Sequence, residues 1–214
     1  MTRWRRCSGD SHRLGRPWRE IDYVVVDLET TGLDLRRDTI VSYGATVIHQ
    51  GRMVAAHNTY GLVRPECPMS AESITIHALR PTDLATAPPL SHAVDVLRDL
   101  INGRVLIAHA AWIEKAFLTR AFEECGRPMQ SRIIDTAAMA RAASLQTASC
   151  RFEPDLESMA TELHLPVDCP HHALGDAITT AQVFLALAGR LGPRGYETAR
   201  DFIDLTAGDA QLRR

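Results

Sequence analysis

Residues 23 to 32 read YVVVDLETTG, and they predict the central element of the fold. Its first half is short, apolar and β-branched, which is typical of a strand buried on both faces at the centre of a mixed or parallel sheet. The Thr-Thr-Gly run that follows predicts a turn. Asp27 and Glu29 stand at the end of the strand, and residues two apart on a strand point to the same face. The stretch therefore predicts a central strand that carries two neighbouring carboxylates to one edge of a sheet.

The remaining periodicity predicts strands that cluster early and then alternate with helices. Further strands are predicted at Thr39–His49, Val54–Val63, Val105–Ala108 and Ile133–Ile134. Helices are predicted at Ser70–His77, Ser91–Ile101, Trp112–Cys125, Thr136–Leu145, Asp155–Leu163 and Ala173–Leu191, with one last short helix after Gly192 and a loop over 146–154. This order predicts an α/β domain whose mixed β-sheet is an antiparallel meander followed by parallel strands, with helices on its faces.

Composition excludes several classes of protein. Of 214 residues, 45% are apolar and 23% charged, which is ordinary for a globular domain and unlike a disordered, collagen-like or coiled-coil chain. No run approaches the roughly 18 apolar residues of a membrane span, and no signal-peptide pattern is present. The five cysteines are scattered without a CxxC pair, so neither a disulfide framework nor a structural zinc site is expected. We therefore expect a cytoplasmic protein without a membrane partner.

Charge is small overall but uneven along the chain. The net charge is −2, while residues 1–20 hold six Arg against two acids, which is +4 and leaves −6 for the rest. A binder that depends on bulk basicity would not show this balance, whereas a nuclease with an acidic, metal-filled pocket is compatible with it. The domain organisation predicted is an Arg-rich N-terminal arm over 1–20, the ordered domain over 21–192 and a short C-terminal tail over 193–214. The arm is either a frayed or amphipathic leading segment or a contact arm for nucleic acid or a partner protein.

The pair formed by Asp27 and Glu29 points to metal chemistry. Burying two like charges side by side is costly unless a cation neutralises them. Donor sets made only of oxygen favour Mg²⁺ or Mn²⁺ over zinc. The alternative is an acidic pair that faces water at the end of a strand.

Two later segments carry further candidates. His171 is expected on the loop that enters the helix beginning at Ala173, and Asp176 is expected to face inward from the first turns of that helix. Histidine suits general-base work near neutral pH, and the alternative is a surface His pair at a helix start. Glu114 follows a short apolar strand that ends at Ala108. Taken alone, Glu114 is also compatible with an exposed helix acid.

Together these segments resemble the motifs of the DEDDh 3′–5′ exonuclease family, which includes the proofreading subunit of bacterial DNA polymerase III and belongs to the RNase H-like superfamily. The family's Asp-x-Glu-Thr-Thr-Gly motif is present at residues 27–32, and its His-x-Ala-x-x-Asp motif at residues 171–176. The intervening motif, usually His-Asn-x-x-Phe-Asp, reads His-Ala-Ala-Trp-Ile-Glu at residues 109–114, so Glu114 replaces the Asp. Shorter matches lie at Asp38–Ile40, Glu72–His77, Asp135–Thr136 and Leu156–Leu165, and the resemblance covers roughly Tyr23 to Leu187.

The resemblance implies an RNase H-like mixed sheet flanked by helices, with the exonuclease domain over 21–192. It also implies two Mg²⁺ or Mn²⁺ ions held by Asp27, Glu29, Asp176 and, with one extra methylene of reach, Glu114. His171 would then take a proton from the attacking water. The implied reaction is hydrolysis of the terminal phosphodiester of single-stranded nucleic acid, DNA favoured, with release of nucleoside 5′-monophosphates.

The same resemblance implies the substrate contacts. The backbone of Thr30, Thr31 and Gly32 and an apolar wedge at Leu33 would meet the terminal nucleotide, with His77 and Trp112 as weaker candidates. The implied partners are a single-stranded DNA or RNA 3′ end and, in a proofreading or repair role, a DNA polymerase. Two alternatives stay open, namely a weakened or inactive binding module on the same fold and a short-RNA exonuclease. The oligomeric state is left open as well.

Overall fold

A computed structural model describes residues 13–129, 131–148 and 153–212 of the chain. Within them a six-stranded mixed sheet is built from β1 (Tyr23–Thr30), β2 (Ile40–His49), β3 (Arg52–Met53), β4 (Thr59–Leu62), β5 (Val105–Ala108) and β6 (Ile133–Asp135). The strand order is β3-β2-β1-β5-β6, and β4 also pairs with β2. β2 runs antiparallel to β1, β3 and β4, whereas β1, β5 and β6 run parallel. The predicted α/β fold class, a meander followed by parallel strands, is confirmed.

Eight helices flank this sheet in the described part of the chain. They are α1 (Ala71–His77), α2 (Pro81–Leu84), α3 (Leu90–Ile101), α4 (Trp112–Glu124), α5 (Thr136–Ala142), α6 (Leu156–Glu162), α7 (Ala173–Leu191) and α8 (Ala199–Leu212). No described helix has both the length and the apolar character needed to cross a membrane.

The central strand β1 is buried on both faces, as its unbroken apolar run predicts. Tyr23 and Val25 pack toward α7, where the ring of Phe184 lies 5.0 Å from that of Tyr23. Val24 and Val26 face the other way and pack in a second cluster with α3 and α4. Truncating Phe184, which is fully buried, to Ala would cost about 3–5 kcal/mol of unfolding free energy. This double cover fixes the end of β1, and with it the two carboxylates.

The core extends into segments outside the predicted domain bounds. Trp18 is 4% exposed and lies 5.8 Å, ring to ring, from Phe184. Phe202 of α8 packs on the other side of Phe184 at 6.0 Å. The described part of the predicted arm, residues 13–20, is thus packed against the domain, while residues 1–12 lie outside the described residues.

The C-terminal helix is longer than the short helix predicted, because its start is well capped. Thr198 donates its backbone N–H to Asp201 Oδ2 at 2.8 Å, and Asp201 donates its own N–H to Thr198 Oγ1 at 3.2 Å. This reciprocal pair is a capping box. α8 then continues for 14 residues.

The single strand predicted over Val54–Val63 is wrong in its first half. The chain instead forms the two-residue β3, a 3₁₀ turn at Ala55–His57 and then β4. Thr46 Oγ1 donates to Asn58 Oδ1 at 2.7 Å and holds the chain where it leaves and rejoins the sheet. Two strands therefore pair with different parts of the long β2.

Helix boundaries differ from prediction by a few residues. α3 begins at Leu90, one residue before the predicted cap Ser91. α5 ends at Ala142 and not at Leu145, because Ser144 adopts a left-handed φ of 59°. The predicted loop over 146–154 contains a 3₁₀ turn at Gln146–Ala148, and its residues 149–152 lie outside the described residues.

Candidate active site

Three carboxylates converge where β1 ends. Asp27 and Glu29 project from the same face of β1, the face that α7 covers, and Asp176 comes from the first turn of α7. One oxygen of each carboxylate lies within 4.8 Å of one oxygen of each of the others. All three residues are half-buried. A set of carboxylate oxygens at this spacing can hold a metal ion.

The absence of a side chain at Gly44 allows α7 to approach β1 and β2 closely. Gly44 of β2 pairs with Asp27, and a Cβ atom added at Gly44 would lie 2.2 Å from the backbone of Ala173 and Leu174. The first turn of α7 therefore rests directly on the backbone of β2. This contact brings Asp176 to the carboxylates of β1.

His171 lies on the loop that enters α7, next to Asp176. Its backbone N–H donates to Asp176 Oδ2 at 2.9 Å, and its φ is +58°. Its imidazole is exposed, and Nε2 lies 3.7 Å from Glu157 Oε1. The backbone contact fixes the residue beside the carboxylate, and the ring is free to meet solvent or substrate.

Burial and mutual repulsion disfavour the charged forms of the clustered acids. Burial, and then the charge of Asp176, raises the pKa of Glu29 to about 8. Burial raises the pKa of Asp176 to about 6, although the backbone N–H of His171 acts in the opposite direction. Burial, followed by the charges of Glu114, Asp176 and Glu29, raises the pKa of Asp27 well above its usual range. A cation bound among these acids would reverse the shifts, because it favours their ionised forms.

Glu114 is buried and lies against the same cluster. Its side chain is 6% exposed, which differs from the exposed helix acid that the sequence left open. Burial raises the pKa of Glu114, and the charges of Asp135 and Glu29 add to that effect. Its Oε2 has no hydrogen-bond partner among the described residues. A buried carboxylate oxygen without a partner is costly unless a ligand satisfies it.

Glu114 stands outside the set of three acids whose oxygens all lie within 4.8 Å of one another. It comes from the first turn of α4, across the β5 side of β1. The four acids therefore fall into a β1–α7 side with three clustered acids and an α4 side with one, and the space between the two sides is called the cleft below.

The start of α4 is held by polar contacts of neighbouring loops. His109 places Nδ1 3.0 Å from Thr136 Oγ1 and Nε2 2.7 Å from the carbonyl oxygen of Pro154. Ala110 adopts a left-handed φ of 49°. The carboxylate of Asp135 accepts from Ala137 N at 2.9 Å, which caps α5. Burial raises the pKa of Asp135 to about 6, although a hydrogen bond from the backbone of Ala111 acts in the opposite direction. Asp135 therefore also contacts Ala111, the residue before α4.

The Thr-Thr-Gly turn after β1 is rigidly held. Thr30 Oγ1 donates to the carbonyl oxygen of Gly32 at 2.8 Å, and Thr31 Oγ1 donates to Asp38 Oδ1 at 2.7 Å. Leu33, just beyond, is 70% exposed. The turn thus presents an exposed apolar side chain on a fixed backbone beside the carboxylates.

His77 and Trp112 occupy different surroundings. His77 is buried at the end of α1, and its Nδ1 accepts from Leu79 N at 3.1 Å. Burial lowers the pKa of His77, and the backbone of Thr30 acts in the opposite direction, so the ring lies near the turn although its Nε2 has no hydrogen-bond partner among the described residues. Trp112 is 54% exposed, and its Nε1 donates to Glu153 Oε1 at 3.2 Å. It lines a groove of about 1120 Å³ that runs between α4, β6 and α8.

Sequence reasoning did not single out Tyr60 as a site residue. Tyr60 lies on β4, opposite Gly44 of β2, and its ring stacks on His172 with centroids 4.3 Å apart. Exposed aromatic residues on an edge strand carry no sequence signal of their own. Only the pairing of β4 with β2 reveals the position.

Comparisons with known proteins identify the family of the chain. The model of an exonuclease family, RNase T, matches residues 24–184. A DNA polymerase III subunit epsilon-like protein of Rhodobacter capsulatus is 32% identical over 191 residues, which are 89% of this chain and 27% of that protein. The 3′-5′ exonuclease DinG of Staphylococcus epidermidis is 29% identical over 76% of this chain and 18% of its own length. The chain thus spans less than a third of each of these relatives.

Solved structures share the fold. Exonuclease X in complex with 5′ overhanging duplex DNA superposes with a TM-score of 0.68 at 23% identity, covering 86% of this chain and 99% of that one. Escherichia coli exonuclease I in complex with a dT13 oligonucleotide gives a TM-score of 0.71 at 12% identity, over 81% of this chain and 42% of that one. At these identities the likeness establishes the fold.

Proposed function

The chain belongs to the RNase T exonuclease family, and from that premise we propose that it is a metal-dependent 3′–5′ exonuclease that releases nucleoside 5′-monophosphates from a single-stranded 3′ end. The observation that carries the proposal is the convergence of Asp27, Glu29 and Asp176 within 4.8 Å. Their order along the chain is that of the DEDDh motifs.

The residues of the cleft fit divalent cations. The donors are carboxylate oxygens without nitrogen or sulfur, which suits Mg²⁺ or Mn²⁺. Asp27, Glu29 and Asp176 would hold one ion, and the partnerless Oε2 of Glu114 supports a second between α4 and β1. The chemistry that such ions supply is a lower pKa for a bound water and compensation of the negative charge on the departing 3′-oxygen.

His171 would act as the general base. Its imidazole is exposed beside Asp176, so it can accept the proton of the attacking water without displacing a carboxylate from the cluster. His171 and not His172 is proposed as the base, because His171 holds the first position of the His-x-Ala-x-x-Asp motif.

The turn after β1 would hold the terminal nucleotide. Its fixed backbone can bind through Thr30, Thr31 and Gly32, and the exposed Leu33 would pack against the last base. His77, which is buried at the end of α1, would support that turn from beneath. Trp112 would act at the groove side of the cleft as a stacking surface.

DNA is favoured as the substrate on the names of relatives and structural neighbours. Two neighbours are complexes with DNA, and one relative is named for a DNA polymerase subunit. A DNA polymerase is accordingly proposed as a partner in proofreading or repair. The domain bounds of 21–192 and a cytoplasmic location stay predictions from the sequence.

An end-labelled assay tests the function. The whole chain is incubated with 5′-labelled single-stranded DNA and Mg²⁺ or Mn²⁺, and the products are resolved on a denaturing gel and by nucleotide chromatography. We expect progressive shortening from the 3′ end, release of 5′-monophosphates, and loss of both on adding EDTA or with Asp176→Asn. An oligonucleotide whose 3′ end is chemically blocked should resist.

Other results separate the alternatives. Tight binding of single strands without metal-dependent shortening would leave the inactive binding module. Faster degradation of RNA oligonucleotides shorter than the DNA substrate would favour the short-RNA exonuclease. Cleavage inside a circular strand would contradict an exonuclease of either kind.

A further inference from the structure

Tyr60 and His172 form a pair of stacked rings beside the cluster of acids. Their centroids are 4.3 Å apart and their planes differ by 24°. Tyr60 is 36% exposed, and His172 is exposed as well. His172 is the residue directly before α7, and it follows His171 along the chain. The stack therefore holds a side chain of the same turn that carries His171, the proposed general base.

The register of the sheet explains why Tyr60 reaches this turn. Asp27, Gly44 and Tyr60 are paired across β1, β2 and β4, and side chains of paired residues lie on the same face of a sheet. Since Gly44 has no side chain, the start of α7 occupies the space between Asp27 and Tyr60. The carboxylates flank that start on one side and the Tyr60 ring on the other. Burial and the charge of Glu29 raise the pKa of Tyr60, which agrees with this proximity.

His171 needs such support, because its backbone is strained. Its φ of +58° is left-handed, a conformation that costs a non-glycine residue on the order of 1 kcal/mol and persists only where the surroundings enforce it. Asp176 supplies two contacts, accepting the N–H of His171 at 2.9 Å and donating its own N–H to the carbonyl oxygen of His172 at 3.0 Å. Both contacts act on the backbone of the turn. The stack with Tyr60 acts on a side chain.

We propose that Tyr60 is a positioning residue for His171, which acts by holding the ring of His172 and thereby the turn that presents the His171 imidazole. The proposal rests on the function proposed above for His171. In this proposal Tyr60 acts through the ring of His172 and not through contact with the substrate or the metal. Removing its ring releases His172 and widens the range of His171 orientations, so the rate of the chemical step falls while substrate binding is retained.

Kinetics of Tyr60→Ala and Tyr60→Phe test the proposal on single-stranded DNA. We expect Tyr60→Ala to lower kcat by about tenfold with KM changed less than twofold, because misorientation of a catalytic group affects the reaction step. Tyr60→Phe keeps the ring and should restore kcat to within about twofold of the parent. His172→Ala, which removes the other ring of the stack, should reproduce the loss. Thermal unfolding of each variant identifies any loss that merely reflects unfolding.

A double-mutant cycle sharpens this result. If Tyr60 acts through His171, Tyr60→Ala should add less than about twofold to the loss caused by His171→Ala. Multiplicative losses in the double variant would overturn the proposal. A rise in KM with kcat unchanged would also overturn it, since that pattern assigns Tyr60 to direct stacking on the substrate base.

NMR of the whole chain separates failure of this proposal from failure of the proposed function. Imidazole signals of ¹⁵N-histidine-labelled protein are assigned with His171→Ala and compared in the parent, Tyr60→Phe and Tyr60→Ala without substrate. We expect the His171 signals to shift or broaden only in Tyr60→Ala. Unchanged His171 signals would overturn the positioning role whatever the activity, and shifted signals in a chain without nuclease activity would sustain it while the proposed function fails.

Discussion

The two sides of the cleft are built in different ways. On the β1–α7 side, a doubly covered strand and a helix seated on Gly44 bring three acids within 4.8 Å of one another. On the α4 side, Glu114 comes from a helix start that loops support, and its Oε2 has no hydrogen-bond partner among the described residues. The first side carries the family motifs unchanged, and the second carries an acid that is longer by one methylene.

The two sides also differ in how closely they match the motifs that the sequence resembles. On the α4 side Ala110, Ile113 and Glu114 stand where the motif usually has Asn, Phe and Asp, and Glu114 is buried. The surroundings of Glu114 include Asp135, which also contacts the residue before α4. The α4 side is thus held by side-chain hydrogen bonds of neighbouring loops, whereas the β1–α7 side is held by direct backbone contact.

The largest effect is expected from the β1–α7 side. Asp27→Asn should lower the exonuclease rate by on the order of 10³-fold, because a buried charge that stabilises the reaction is lost. The same change should raise the unfolding temperature in EDTA, because burial and neighbouring acids disfavour the Asp27 carboxylate. Gel-based rates and calorimetry measure the two effects.

The matched control for that change is Asp99→Asn, on the exposed surface of α3, where the side chain is 78% exposed. It should leave both quantities unchanged. An unchanged exonuclease rate in Asp27→Asn would show that the cluster of acids does not take part in the reaction.

On the α4 side, Glu114→Gln keeps the size and removes the charge, and we expect a loss of about 10²-fold in rate. Glu114→Asp keeps the charge and withdraws it by one methylene, and we expect a loss of about tenfold. Single-turnover rates at saturating Mg²⁺ measure both. A higher single-turnover rate for Glu114→Asp than for the parent would contradict this expectation. It would show that α4 lies at the distance from the cluster that suits aspartate, and that the longer glutamate lowers the rate.

The clustered acids also predict how stability depends on pH in the absence of metal. The folded pKa of Glu29 is about 8 and that of Asp176 about 6, against ordinary values of 4.5 and 3.8. Because both are raised, the folded state binds more protons, and stability falls as pH rises from about 4 to about 8. In EDTA we expect the unfolding temperature to drop by on the order of 10 °C over this window, after a discount for the partial exposure of both acids.

Excess Mg²⁺ should reduce that drop, since an ion stabilises the ionised acids at the higher pH. Asp27→Asn should reduce it as well, because one of the repelling groups is gone. An unfolding temperature that rises with pH in EDTA would contradict the raised pKa values.

The smallest effect concerns the backbone before α4. Ala110→Gly should raise the unfolding free energy by about 0.5 kcal/mol, because the left-handed φ of 49° is unfavourable for alanine by more than glycine loses in entropy. Ala116→Gly, inside α4, is the same chemical change and should lower the unfolding free energy by about 0.5–1 kcal/mol. Urea denaturation measures both, and equal signs would contradict the strain at Ala110.

The β1–α7 side was predictable because its signals are local. The apolar run of β1 fixes which residues share a face, and the helix at Ala173–Leu191 has the bounds that its spacing predicts. The inward position of Asp176 and the loop position of His171 follow from the same spacing.

The burial of Glu114 on the α4 side and the position of Tyr60 on β4 could not be predicted from the sequence, because both depend on contacts between residues that are far apart along the chain. The burial of Glu114 depends on loops around His109, Asp135 and Glu153, which lie far apart in the sequence. The position of Tyr60 depends on a strand that a 3₁₀ turn separates from β3, and the apolar pattern of Val54–Val63 hides that turn. The core positions of Trp18 and Phe202 likewise need the packed structure, because neither segment has a strong period of its own.

The close approach at Gly44 limits which residue this position can hold. A methyl group there would push α7 off β2 and carry Asp176 away from β1. The distance between the backbone of β1 and the first turn of α7 is therefore set by two backbones in direct contact, while the carboxylates can still rotate about their side-chain bonds. An absent side chain on a neighbouring strand thus determines the span that the three acids have to bridge.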